Sequence, residues 1–313
     1  MKVLYGLEQL PELSGPSSIA IGNFDGMHLG HHKVLRFLGK EARKKKNISI
    51  ALTFYPHPRS VLRRDPVPLI QTLEQRLEEM GKQAVEIALV LPFEKKLAKI
   101  TAESFVKDIL LRRLRAKEIV VGENFFFGRN REGNLTFLKT MARRFGFDVF
   151  SCSPVKQSGG PISSSTIRKL LSSGDLEAAG SLLGRAYSID GRIAGGRSKG
   201  RTLGFPTANI QTPNEILPAG VHITCARLAE NRLPSITNVG ACPTFGEKNQ
   251  TTIESHLIDF QGDIYGREIR LFFLKKIRDE FPFPSPEDLT IQLRKDLTTA
   301  RLYFKDRSLL SLC

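Results

Sequence analysis

The chain of 313 residues has no tryptophan, only four cysteines and four methionines, and few acidic residues for its number of basic ones. Its longest apolar stretches, such as IALVLPF at 87–93, are under half the length of a membrane span, so no transmembrane helix is expected. The opening MKVLYGLEQLPEL carries Glu8 and Glu12 and has no unbroken apolar core, so no secretory signal is expected either. Cys152, Cys225, Cys242 and Cys313 are widely scattered without metal-type spacing, which predicts four reduced thiols in a cytoplasmic protein. With 26 Gly and 17 Pro the chain is neither collagen-like nor low-complexity, and 41% hydrophobic residues exclude a disordered chain. The deficit of acid, 32 Asp and Glu against 47 Lys and Arg, leaves a formal charge of +15. That excess suits nucleic acid, an acidic membrane surface or a phosphorylated small molecule, and composition does not choose among them.

The length leaves room for two cores. Residues 17–184 alternate short apolar runs at 18–22, 48–54, 85–91, 118–122 and 148–153 with helical patterns near 30–46, 71–82, 102–113 and 134–145. This alternation predicts an α/β domain with a parallel sheet covered on both faces. Two short helices, 163–172 and 175–183, close the block. From 185 the texture changes to strand-like runs separated by Gly, Pro, Asn and Thr, at 187–194, 220–226, 235–239, 252–260 and 269–274. Ile253, Ser255 and Leu257 alternate with Glu254 and His256, the two-residue period of a strand. An antiparallel barrel or sandwich fits this half. A final helix starts at Ser285-Pro286, with Leu289, Leu293 and Leu297 along one face. The expected domains are 1–184 and 185–313. Of the charge, 29 basic against 18 acidic residues put +11 in the first, and 18 against 14 put +4 in the second. Much of the first excess lies in Arg43–Lys46, Arg63-Arg64 and Arg112-Arg113-Arg115, with no aromatic-interleaved nucleic-acid motif beside it.

Two constellations carry chemistry. In the first, strand 18–22 runs into GNFDGMHLGHHKVL and then a helix. Gly22, Gly26 and Gly30 relieve crowding so that phosphates can approach main-chain N–H groups, and His28 and His31 stand at a helix start that favours an anion. Two imidazoles there could donate to a phosphate and stabilise a leaving pyrophosphate. A metal set of Asp25, His28, His31 and His32 is the alternative, without a distant ligand set to support it. Far along the chain, ISSSTIR (162–168) is a second phosphate-suited helix start, with Ser164 and Arg168. In the second constellation, GGRSKGRT (195–202) is a near miss to a P-loop, but Pro206 prevents the helix a P-loop needs. Thr207 and Asn209 in PTAN are oxygen donors suited to Mg²⁺ and phosphate, and Glu254 could take a proton from an attacking hydroxyl.

GNFDGMHLGH, ISSSTIR, TFYPHPRSVL (53–62) and VVGENFFFGRNREG (120–133) resemble the nucleotidyltransferase half of bacterial bifunctional riboflavin kinase/FAD synthetases. GRTLGFPTANI (200–210), LPAGVH (217–222), NVGACPTF (238–245) and TTIESHLIDF (251–260) resemble the riboflavin kinase module of the same family. The resemblance implies a Rossmann-like FMN adenylyltransferase domain followed by a small Greek-key barrel with a carboxyl-terminal helix. By it, His28, His31, Ser164 and Arg168 serve adenylyl transfer, while Gly22, Phe24, Asp25, Gly30, His57 and Asn124 line the nucleotide or flavin site. In the barrel, Gly200, Thr207 and Asn209 hold Mg-ATP and Glu254 is the base. Riboflavin, FMN, FAD, ATP and Mg²⁺ are the implied ligands, and neither nucleic acid nor membrane is an expected partner. Phe126 and Cys242 stand where the family often has Arg, and His222 where Tyr is usual. The rival readings are a chain that keeps one of the two activities and a basic nucleic-acid-binding protein.

Overall fold

The apolar runs expected to be parallel strands form a single sheet, joined at its edge by one strand that periodicity does not reveal. The computed structural model describes residues 1–62, 67–157, 160–195, 204–242, 250–305, 307, 308 and 313. The chain divides into two compact units, Met1–Ser164 and Ser165–Cys313.

The sheet of the first unit holds β1 (Lys2–Tyr5), β2 (Ser17–Ile21), β3 (Ile48–Tyr55), β4 (Ile87–Pro92), β5 (Ala116–Gly122) and β6 (Asp148–Cys152), in the order β1-β4-β3-β2-β5-β6. Every neighbouring pair is parallel. The unexpected strand is β1, where of four residues only Leu4 is buried. From β2 the chain order runs outward one way through β3 and β4 and the other way through β5 and β6. Such a reversal opens a crevice at the carboxyl ends of β2 and β5, where open α/β sheets bind ligands.

Helices α1 (Leu29–Lys45), α2 (Pro58–Leu62), α3 (Leu73–Gly81), α4 (Lys95–Ala98), α5 (Ala102–Ser104) and α6 (Leu135–Phe145) link the strands. Val34, Leu35, Leu38 and Ala42 of α1 are buried, as their spacing predicts. They pack with a row of small residues in register across the sheet, Ala20 beside Ala51 and Ala51 beside Ala88. The opposite face presents larger side chains, among them Ile19, Ile50, Leu52, Ile119 and Val121. The helix expected over 102–113 is an α-turn followed by a π-helical segment, Phe105–Arg113. Thr101 caps its start as expected, its Oγ1 accepting from Ser104 N at 3.1 Å. The two helix types bury much the same residues over nine positions, so the apolar pattern cannot separate them.

Part of the charge of this unit is structural. Arg43, Lys44 and Lys45 occupy the last turn of α1, where cations favour the helix dipole. Arg113 donates to the carbonyls of Leu7 and Leu10, and Arg115 to that of Leu13 at 2.7 Å. Arg63 and Arg64 lie outside the described residues. A short antiparallel pair, β7 (Lys156–Gln157) with β8 (Gly160–Pro161), precedes α7 (Ser164–Ser173) and α8 (Leu176–Leu183).

In the second unit β9 (Tyr187–Ala194), β10 (Ala208–Gln211), β11 (Gly220–Leu228), β12 (Asn231–Cys242), β13 (Gln250–Leu257) and β14 (Glu268–Arg278) close a barrel in the order β10-β13-β12-β11-β14-β9. All its pairs are antiparallel, and β14 returns to lie beside β11, giving the Greek-key order β14-β11-β12-β13. This resolves the choice between barrel and sandwich. Val221, Ile223, Cys225 and Ile236 pack with Ala300 and Leu297 of α9 (Pro286–Lys305). Ser285 caps that helix, accepting from Asp288 N at 3.1 Å. The helix is also pinned by a buried ion pair, Arg278 Nη2 to Asp296 Oδ2 at 2.9 Å. Cys225 and Cys313 are joined as a disulfide, which overturns the expectation that these two thiols are reduced; a bridge spanning 88 residues leaves no trace in local spacing. Cys152 is free and buried, and burial pushes its thiol up. The Cys242 side chain lies outside the described residues.

The alternate residues of these strands are unusually polar for buried positions. Thr224 Oγ1 lies 2.7 Å from both Ser235 Oγ and Thr237 Oγ1, and Thr237 donates to Ser255 Oγ at 2.9 Å. His222, fully buried, meets the Pro218 carbonyl through Nε2 at 2.9 Å, while its Nδ1 has no partner among the described residues. Burial pushes this imidazole down to about 4, outweighing the raising effect of the Pro218 carbonyl, and Lys276 nearby lowers it further. The unfolded chain therefore takes up a proton at His222 below about pH 6.5 that the folded barrel refuses until about pH 4. Above pH 6.5 the group contributes no pH dependence. Between 6.5 and 4 it removes about 3 kcal/mol of stability in all. Denaturant unfolding of wild type and His222→Phe from pH 7 to 4 measures this as the difference in slope, and identical slopes would contradict it.

Candidate active sites

The turn after β2 is built under constraint. Gly22 N still bonds the Leu52 carbonyl at 3.1 Å, and then Phe24, Gly26 and Met27 take φ of 52°, 86° and 39°. Two of those three are not glycine, a conformation that persists only where the surroundings enforce it. At Gly26 a side chain would also meet Ile70 Cδ1 at 2.9 Å. The enforcing contacts are polar. Thr53 Oγ1 donates to the Asn23 carbonyl at 3.1 Å, and Arg76 Nη1 to the same oxygen at 3.0 Å. The buried Asp25 carboxylate accepts from Ile70 N at 3.1 Å.

His28 is the N-cap of α1. Its Nδ1 accepts from His31 N at 3.3 Å, and its carbonyl from the N–H groups of His31 and His32 at 2.8 and 3.0 Å. Accepting at Nδ1 makes Nε2 the protonated nitrogen of the neutral ring, hence a donor. The His28 and His31 rings stack at 3.6 Å, and Phe24 meets His31 edge-on at 5.4 Å. A side chain at Gly30 would press on the His28 ring at 3.0 Å, so the bare glycine admits the stack. Two imidazoles thus stand at the amino end of a 17-residue helix, where anions are favoured.

The second motif reaches the same turn. Ser164 Oγ donates to the Asp25 carbonyl at 2.9 Å across 139 residues of sequence. Gly22, Phe24, Asp25, Gly30, His28, His31 and Ser164 are therefore gathered at the carboxyl end of β2. His57 lies at the same sheet edge after β3, buried, with Nδ1 accepting from Arg59 N at 3.1 Å. Asn124 lies after β5 in an exposed turn. That loop is anchored by Phe127, stacked on Phe125 and bridged to Gly133, while exposed Phe126 carries the Arg131 guanidinium 4.4 Å over its ring. Arg168 sits one turn into α7, in the second unit.

In the barrel, Asn209 of β10 pairs directly with Glu254 of β13, and Glu254 pairs on its other side with Asn238 of β12. Directly opposed residues share a face, and Thr207 lies two residues before Asn209 on that side. Ile253, Ser255 and Leu257 are buried whereas Glu254 and His256 are half-exposed, so this row turns away from the buried interior. His256 Nδ1 meets the Pro206 carbonyl at 2.8 Å and fixes the approach to β10. Gly200 and most of the glycine-rich stretch lie outside the described residues.

Two neighbours of these sites escape the motif reading. Asn238 completes the row beside Glu254; its Nδ2 donates to Glu280 Oε1 at 3.0 Å and its buried Oδ1 has no partner among the described residues. Arg76 carries a signal that sequence does offer, a charge among the apolar positions Leu73, Leu77 and Met80 of α3.

Residues 10–166 match the FAD synthetase family, and residues 183–304 match the riboflavin kinase family. The bifunctional riboflavin kinase/FMN adenylyltransferase of Escherichia coli (strain K12) is 36% identical over 308 residues, covering 97% of this chain and 98% of that protein. The protein of the same description from Haemophilus influenzae is 35% identical over 307 residues, 97% and 99% of the two chains. A crystal structure described as a macrolide-efflux protein from Streptococcus pneumoniae superposes with a TM-score of 0.88 at 27% identity, covering 98% of this chain and all of that one. Among the described residues here, no helix is long and apolar enough to cross a membrane. Both halves are matched in order and the relatives are covered almost end to end, so the chain belongs to the bifunctional riboflavin kinase/FMN adenylyltransferase family.

Proposed function

We propose that this chain performs two ATP-dependent steps, phosphorylating riboflavin to FMN and adenylylating FMN to FAD with release of pyrophosphate. The adenylyl transfer belongs to a module of residues 1–184 and the phosphorylation to one of residues 185–313. The observation that carries the reading is the Ser164 hydroxyl on the Asp25 carbonyl, which ties the two phosphate-suited motifs into one site at the start of α1.

In adenylyl transfer a phosphate oxygen of FMN attacks the α-phosphorus of ATP, one P–O bond forms, and the bond to pyrophosphate breaks. Charge grows on the leaving pyrophosphate. His28, its Nε2–H set as donor by the cap bond at Nδ1, acts there with His31 and the positive amino end of the helix dipole. Ser164 assists the same transfer, and Gly22, Phe24, Asp25, Gly30, His57 and Asn124 line the nucleotide and flavin pockets.

In the kinase step the ribityl 5′-hydroxyl attacks the γ-phosphorus, its proton passes to Glu254, and ADP leaves. Thr207 and Asn209 offer neutral oxygens beside this carboxylate, and among the described residues no three His, Cys, Asp or Glu side chains gather to hold a metal. That donor set fits Mg²⁺, which prefers oxygen and takes most of its ligands from water and substrate phosphates. When bound, Mg²⁺ would neutralise phosphate charge. The family resemblance gives Gly200, outside the described residues, a part in ATP binding. The partners in this reading are the small molecules riboflavin, FMN and ATP rather than nucleic acid, and the work is done in the cytoplasm.

Incubation with riboflavin, ATP and Mg²⁺, followed by separation of FMN from FAD, tests both activities at once. Replacing His28 and His31 together by Ala is expected to lower FAD formation by about 10³-fold and to spare FMN formation. Survival of FAD synthesis would remove the assignment of that turn. In the mirror experiment, Glu254→Ala or Asn209→Ala lowers riboflavin phosphorylation by about 10²-fold or more, while supplied FMN is still adenylylated. Loss of both activities in one such variant would count against two separate sites.

A further inference from the structure

A guanidinium at Arg76, fully buried under the turn of the first site, is left unused by the chemistry above. Its Nη1 donates to the Asn23 carbonyl at 3.0 Å and to the Phe54 carbonyl at 3.3 Å, so one nitrogen ties the end of β2 to the end of β3. Its Nε and Nη2 have no hydrogen-bond partner among the described residues. A buried cation with two unanswered donors is costly, and an apolar side chain of similar volume would fill the place with less penalty. Packing alone therefore does not account for an arginine on the apolar face of α3.

What the arginine holds is the entry to a strained turn. Asn23 immediately precedes Phe24, Gly26 and Met27, all at positive φ, and the turn ends at the His28 cap. Its carbonyl accepts from both Arg76 and Thr53. Two donors on one oxygen fix the direction of the Asn23–Phe24 peptide, and so the path of the backbone to His28.

We infer that Arg76 is a positioning residue for adenylyl transfer, holding the Asn23 carbonyl so that the turn presents His28 and His31 to the phosphates. The inference rests on the reading of that turn as the adenylyl-transfer site. Burial pushes the guanidinium below its ordinary value while the Asp25 carboxylate pulls it back up, consistent with a cation kept against a desolvation cost. Arg76 touches no reacting atom in this role. Its loss is felt in the rate with bound substrates, since a displacement of about 1 Å costs about 10²-fold in rate.

The test measures FMN adenylylation by the full chain, with kcat and the KM for ATP resolved separately and riboflavin phosphorylation read in the same samples. Arg76→Met is expected to lower kcat for FAD formation by about 10²-fold, with the KM for ATP changed by less than about threefold and riboflavin phosphorylation unaltered. Arg76→Lys, which keeps a donor within reach of the carbonyl, restores part of that kcat. Thr53→Val, which removes the second donor, lowers kcat by a smaller factor, and that factor shrinks in the Arg76→Met background because both act on one oxygen. Should Arg76→Met unfold the first unit, visible as lost far-ultraviolet dichroism, Arg76→Lys and Thr53→Val carry the test, and wild-type kcat in both overturns the inference. A folded Arg76→Met with wild-type kcat overturns it as well, and a wild-type chain that makes no FAD overturns this inference together with the reading beneath it.

Discussion

One carbonyl oxygen, that of Asn23, accepts from a buried arginine and a buried threonine at the point where the chain leaves the sheet. The next residues cannot relax into ordinary extended or helical backbone, because Phe24, Gly26 and Met27 are all held at positive φ. From that imposed path follow the His28 cap, the stack of His28 on His31, and the place where the Ser164 hydroxyl finds the Asp25 carbonyl. The sheet supplies the rigidity. Ala20, Ala51 and Ala88 form a row with little side-chain bulk under α1, and the helix packs on that row through Val34, Leu35 and Leu38. A helix so seated carries its own amino end to a defined point.

The second site uses the same economy with other parts. Asn209, Glu254 and Asn238 need no special turn to meet, since antiparallel register sets them side by side on three neighbouring strands. Closure of the barrel fixes the strands, and the ion pair of Arg278 with Asp296 pins α9 to them. Of the candidate side chains, Asn209 and Glu254 rest on strands and His28 and His31 on the start of a helix, elements that hold a group more precisely than loops do.

Much of this was legible in the sequence, and the parts that were not have physical reasons. Strands β2 to β5 are buried on both faces and announce themselves as apolar runs, while β1 buries only Leu4 and offers no such run. In the barrel, β10 is four residues long and lies in a stretch whose Pro, Thr and Asn read as a turn, yet it brings Asn209 to Glu254. The apolar spacing over 105–113 is satisfied by α and π geometry alike. His28 and His31 were legible as a pair at a helix start, but not the cap bond that chooses the proton-bearing nitrogen. The pairing of Cys225 with Cys313 depends on where the last residue returns, which local spacing does not encode. Arg76 was visible as a misfit on an apolar helix face, and only the fold shows which carbonyls it answers.

The barrel has one further property worth following. Between β11, β12 and β13 its buried positions include Thr224, Ser235, Thr237 and Ser255, joined hydroxyl to hydroxyl, where barrels of this size are usually filled with aliphatic carbon. Exposing apolar surface raises the heat capacity of unfolding and exposing polar surface lowers it. A core that exchanges methyl groups for hydroxyls therefore unfolds with a smaller heat-capacity change than its size implies. Four such hydroxyls flatten the stability curve of the barrel by a small amount relative to an all-aliphatic interior.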